Sequence, residues 1–232
     1  MQKSIPITRG NVLDEGLRRF MLSVYSNMGV GLAITAVVGA AIGLNSELLR
    51  FFMGGPQAWV FMLAPIGLVW YIGATIANTK PETARALFWV YSAVMGISLS
   101  TIFAVFALGS IVQVFLVTAA TFGAMSIYGH TTRRDLTQMG SFLIMGLLGV
   151  IIASLVNIFV ESSAASFVIS VLSVLIFTGL TAYDTQKLKD QFYELAYAGD
   201  DQARAGIMGA LSLYLDFINI FISLLNILGS RR

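Results

Sequence analysis

The sequence contains no cysteine and a single histidine, His130. Disulfides, thiolate metal sites and cysteine nucleophiles are therefore excluded, as is any metal site built on several histidines. Charge is scarce as well. Only 11% of the 232 residues are Asp, Glu, Lys or Arg, where a soluble domain carries roughly a quarter. Hydrophobic residues make up 57% and mean hydropathy is +0.82, so the solvent this chain is built for is lipid. A net charge of +2, spread over scattered basic residues, gives no footprint for nucleic acid as a partner.

What is present is a series of long apolar runs cut by charges. A membrane helix needs about 20 such residues, at ~1.5 Å each, to cross ~30 Å of hydrocarbon. The first run, 20–46, follows Arg18 and Arg19 as a signal-peptide core would. It far exceeds the roughly 7–15 apolar residues of such a core, and reads as a membrane span. The run 51–79 supplies a second span, starting after the turn Gly54-Gly55-Pro56-Gln57 and kinked at Pro65. The run 86–132 is long enough for two, with a break at 108–113. Runs 136–160, 162–183 and 205–230 bring the total to seven.

The expected fold is thus an all-α integral membrane protein, a seven-transmembrane-helix bundle. A cytoplasmic segment, 1–19, precedes one domain over 20–230, with spans near 20–45, 57–79, 86–107, 111–130, 138–160, 164–187 and 206–229. With the N-terminus in the cytoplasm, eleven of the fourteen basic residues fall on the inner side, leaving Arg50, Arg231 and Arg232 outside. Positive residues concentrate on the cytoplasmic face, so the C-terminus is expected outside.

Two aspartates interrupt this pattern. Asp216 lies within Leu213–Asn226 with no basic residue inside ten positions, and Asp184 follows the uncharged stretch 162–183. Around Asp216, the polar residues Ser212, Asn219, Ser223 and Asn226 recur at intervals of four and three, which at 100° per residue keeps them on one helical face. A second stripe, Ser166, Ser170, Ser173, Thr181 and Asp184, is interrupted by Phe177. Membrane-helix serines mostly serve packing, but a mid-bilayer carboxylate costs several kcal/mol and marks ion paths, proton relays or buried pairs. If both stripes face inward, desolvation and mutual repulsion oppose two negative charges side by side. One shared proton relieves the repulsion, and the pair titrates as a unit. Ser212, Thr181, Asn219, Ser223 and Asn226 are the candidate pore lining.

The motifs Ala182-Tyr183-Asp184-Thr185-Gln186-Lys187-Leu188-Lys189 and Leu211–Leu225 resemble those of the Bax-inhibitor family, also called the transmembrane Bax-inhibitor-motif family. The stretch Tyr128–Phe159 resembles its bacterial branch. The resemblance runs from about residue 15 to the end. It implies a seven-helix bundle with the last helix at the centre, in the bacterial inner membrane. It also implies a pH-sensitive cation leak, chiefly of calcium, controlled by Asp184 and Asp216 as sensor, gate and calcium site. Family members carry a basic latch at the second-to-third helix junction. Here that junction reads Asn78-Thr79-Lys80-Pro81-Glu82-Thr83-Ala84-Arg85, leaving Lys80 or Arg85 for the role.

Enzymatic readings fit less well. An intramembrane aspartyl protease needs Gly-x-Gly-Asp at its second aspartate, but Leu213-Tyr214-Leu215 precede Asp216. No Gly-x-Ser-x-Gly supports a serine protease, His130 reads as an interfacial residue, and a retinal lysine is missing from the last helix. The chain is therefore not expected to be an enzyme or to hold a cofactor, with calcium entering only as a permeant ion. Its partners are the lipid bilayer and calcium or other cations. Two alternatives stand beside the leak. One is regulation by binding a membrane-protein partner such as a quality-control protease; the other is proton-coupled cation exchange.

Overall fold

A computed structural model describes residues 6–195 and 198–232, with side chains from Leu13 onward. Lys3 and the start of the expected 1–19 segment lie outside the described residues, as do Ala196 and Tyr197 of the 190–205 connection. The elements are α1 (Pro6–Gly43), α2 (Ser46–Met53), α3 (Gln57–Thr75) with a following 3-10 turn (Ile76–Asn78), α4 (Pro81–Ser98) and α5 (Ser100–Val105). They continue as α6 (Leu108–Thr131), α7 (Thr137–Val160), α8 (Ser163–Glu194) and α9 (Asp200–Leu228). In hydrocarbon, backbone N–H and C=O groups must be satisfied within the segment, which is what a helix does.

Among the described residues, seven segments are long and apolar enough to cross a bilayer: Leu13–Gly43, Gln57–Asn78, Pro81–Val105, Leu108–Thr131, Thr137–Val160, Ser163–Glu194 and Asp200–Leu228. The chain is an all-α integral membrane protein. Charges delimit these spans less sharply than the sequence suggests. Helix α1 is already helical at Pro6, and α8 continues through Asp184, Lys187 and Lys189 to Glu194. The break expected at 108–113 falls earlier, at Phe106 and Ala107. There the C-terminal backbone supplies the missing partners: Ala107 N–H donates to Ser230 O and Arg232 N–H to Val105 O, each at 3.0 Å. Helix α2 occupies a stretch expected as loop. Asn45 starts it by accepting from Glu47 and Leu48 N–H at 3.0 and 3.2 Å.

Helix α9 is the hub. Half of its apolar window is buried, against 28% or less for every other span, and it packs on α8, α1, α6 and α4. Helix α7 is the most peripheral, with Phe142 and Phe159 turned outward to lipid. A tight turn joins it to α8, with Glu161 in the left-handed region (φ 52°) and Ser162 Oγ accepting from Ala165 N–H at 3.2 Å.

A polar knot ties α9 to α1 and α4. Thr35 Oγ1 lies 2.8 Å from Ser92 O, 3.0 Å from Gly31 O and 2.7 Å from the Tyr214 hydroxyl. Thr35 has one proton and two carbonyls to serve, so the Tyr214 hydroxyl is best satisfied as the donor to Thr35. Phe88 and Tyr91 pack edge-on against the Tyr214 ring.

Candidate functional site: the Asp184–Asp216 pair

The α8–α9 contact begins with a glycine. A methyl group at Gly209 would collide with the Leu188 side chain, so the two helices meet closely there. In an antiparallel pair this register sets Asp184 level with Leu213 and Asp216 about one turn, ~5 Å, deeper. Helix α6 approaches α8 just as closely, because a methyl at Gly129 would strike the Ala182 carbonyl oxygen.

The charged end of α8 is clamped from outside. Gln186 accepts from Leu136 N–H at 2.8 Å and donates to Arg134 O at 2.9 Å, while Lys189 Nζ donates to His130 O at 3.3 Å. Two polar residues of the motif thus tie α8 to the α6–α7 connection. Lys187 instead shares with Asp184 a cavity of about 190 Å³, whose lining also includes Leu188, Gln191, Gly209 and Ser212. This cavity lies toward the basic end of the bundle and reaches Ser212, one turn short of Asp216.

Asp216 lies beyond it and is 4% exposed. Its Oδ2 is buried without a hydrogen-bond partner, and Asp184 is near enough for the two charges to repel. No ion pair involves either aspartate among the described residues. One further turn along α9, Ile220 is wholly buried with Phe177 and Leu180 in an apolar cluster. From the basic end the order is therefore a polar cavity with Asp184, then Asp216, then an apolar plug. Phe177, which breaks the serine stripe, is part of that plug.

The other expected site residues divide. Ser212 lines the Asp184 cavity. Thr181 is wholly buried and donates to Phe177 O on its own helix at 2.8 Å. Asn219, half-buried, likewise spends its amide on Leu215 O at 2.8 Å. Ser223 is buried and Asn226 exposed, so one angular sector passes from packed core to open surface along the helix. Lys80 caps the start of α4 and Arg85 sits one turn on; both are exposed, and neither pairs with Asp184. The basic residue that does reach this junction comes from α9. Arg204 donates to Thr79 O at 3.3 Å while paired with Asp201. Neither Arg204 nor the Thr35–Tyr214 knot has a signal in helical spacing, because both depend on which helices become neighbours.

Residues 17–232 match the family model described as Inhibitor of apoptosis-promoting Bax1. The chain belongs to the Bax-inhibitor family. Relatives in this family span nearly its full length. Inner membrane protein YbhL of Escherichia coli K12 is 44% identical over 225 residues, 94% of each chain. A Rickettsia prowazekii protein, RP147, is 42% identical over 227 residues, 97% of this chain and 95% of its own. A Streptococcus pyogenes membrane protein is 39% identical over 220 residues, 93% and 94% respectively.

Proposed function

We propose that this Bax-inhibitor family member is a pH-sensitive cation leak channel that passes calcium, with Asp184 and Asp216 as sensor and gate. The observation that carries the reading is Asp216: a buried carboxyl beyond the polar cavity that Asp184 lines, with one oxygen unpartnered and a second carboxyl close by. A carboxylate serving only the fold would have its oxygens paired. Its low-dielectric surroundings make its ionisation state consequential for packing.

A proton shared by the pair holds the inner ends of α8 and α9 together, with the Phe177–Leu180–Ile220 plug closed behind them. Loss of that proton leaves two negative charges facing each other. They separate the helices or draw a cation in. Calcium takes six to eight oxygens, and no cluster of three or more acidic or histidine side chains occurs among the described residues. Water and backbone carbonyls therefore complete the shell of an ion in transit, which favours passage over storage.

The membrane is a bacterial inner membrane in this reading, as the name of the relative YbhL has it for that protein, with the N-terminus cytoplasmic and the C-terminus outside. The excess of basic residues at the end bearing Arg133, Arg134, Lys187 and Lys189 supports that orientation. Reporter fusions after Arg232 and within 198–205 should report opposite sides; the same side for both contradicts it. Function is tested by calcium flux into liposomes holding pure protein, from about pH 5 to 8, for wild type, Asp184→Asn and Asp216→Asn. Wild-type flux should rise with pH, and each variant should lose the pH dependence because an amide does not titrate. A protein acting only through a membrane-protein partner gives no flux in this assay. An exchanger gives flux that follows an imposed proton gradient.

A further inference from the structure

A further cavity lies away from the aspartate pair, between the basic ends of α1 and α6, and measures about 620 Å³. Among the described residues these two helices make no extensive contact with each other, so the cavity is an open cleft between them. Its lining is graded. Asp14, Arg18 and His130 stand at the mouth, at the level where α6 ends in basic residues. Met21, Tyr25 and Phe122 line the interior. Between them is Ser126, 5% exposed, whose Oγ is buried with no hydrogen-bond partner. Arg19 and Glu15 pair with each other, whereas Asp14 and Arg18 make no ion pair among the described residues.

We propose that this cleft binds one phospholipid whose headgroup carries both a phosphate and a primary ammonium, as in phosphatidylethanolamine. The mouth offers one charge of each sign a turn apart on α1: Arg18 for the phosphate, joined by an N–H of His130, and Asp14 for the ammonium. Ser126 lies one turn, ~6 Å, below His130. That is about the depth at which the glycerol esters lie beneath a phosphate. Below Ser126 the apolar interior takes an acyl chain. The cavity has room for roughly twenty groups of about 30 Å³ each, enough for one chain and the glycerol region. An anionic lipid without the ammonium would leave Asp14 facing negative charge.

The test is native mass spectrometry of the purified protein equilibrated with equal amounts of dioleoyl-phosphatidylethanolamine and dioleoyl-phosphatidylglycerol. Wild type should retain one lipid, preferentially phosphatidylethanolamine. Gly123 lines the cleft, and a Cβ added there meets no neighbouring atom within 4 Å, so Gly123→Leu starts its side chain into open space and fills the cleft. It should cut retention about tenfold or more. Asp14→Asn should erase the preference while keeping the phosphate contact, and Arg18→Gln should weaken retention of both lipids. Wild type that retains no lipid, or that retains phosphatidylglycerol as well or better, overturns the proposal. So does unchanged retention in Gly123→Leu. If Gly123→Leu fails to fold, exposed Arg18→Gln decides: retention equal to wild type refutes the site.

Discussion

Replacing Asp216 by asparagine should stabilise the bundle while disabling its gate. The side chain is 4% exposed, one oxygen has no partner, and a second carboxylate, Asp184, is near enough to repel it. An unsatisfied buried group costs more when it is charged than when it is neutral, by an amount comparable to the neutral penalty itself, about 1–3 kcal/mol, and an isosteric amide removes the charge without opening a cavity. For a chain of this size, 1 kcal/mol corresponds to about 2–4 °C in Tm. The expected rise is thus about 2–12 °C in thermal unfolding of the detergent-solubilised protein at pH 8. The gain should depend on pH with a definite sign. It is largest where both wild-type carboxyls are ionised, shrinks as pH falls through their titration, and vanishes once both are protonated, because the neutral acid and the amide then carry the same charge. A lower Tm for Asp216→Asn at pH 8 would show that the carboxylate is a structural acceptor. A gain of the same size at every pH would show that charge has nothing to do with it. Either result refutes the reasoning.

Gly129→Ala should destabilise by about 1–3 kcal/mol, because its methyl meets the Ala182 carbonyl, a backbone atom that cannot turn aside. The same thermal assay reads it, and a neutral result would mean that α6 and α8 can slide apart freely. In the Thr35 knot the two partners should differ. Thr35→Val strands the buried Tyr214 hydroxyl and should cost about 1–3 kcal/mol. Tyr214→Phe leaves Thr35 bonded to Ser92 O and should cost about 1 kcal/mol or less. Equal costs would reverse the donor assignment.

The seven spans were legible because charge is so rare that each charged cluster marks a boundary. The same rule misplaced ends where a helix carries its charges inside: α8, expected to end near 187, runs on past Lys189 to Glu194. The break at Phe106 and Ala107 was hidden for a different reason. Its hydrogen bonds come from Ser230 and Arg232, more than a hundred residues away, and local sequence holds no trace of them. Helical spacing correctly placed Ser212 and Asp216 on the face turned toward Asp184. Spacing gives an angle, however, and says nothing of depth, so Asn226 shares that angle and still ends up exposed. The family pattern suggested Lys80 or Arg85 as a latch. Both point to solvent, and the junction is held by Arg204, which only the pairing of α9 with the Thr79 turn brings there.

Calcium flux through the pure protein in liposomes, as a function of pH, tests the central claim most directly. The account predicts wild-type flux that rises as pH increases, and pH-independent flux in both Asp216→Asn and Asp184→Asn. Wild-type conduction whose pH profile survives unchanged in Asp216→Asn would contradict it.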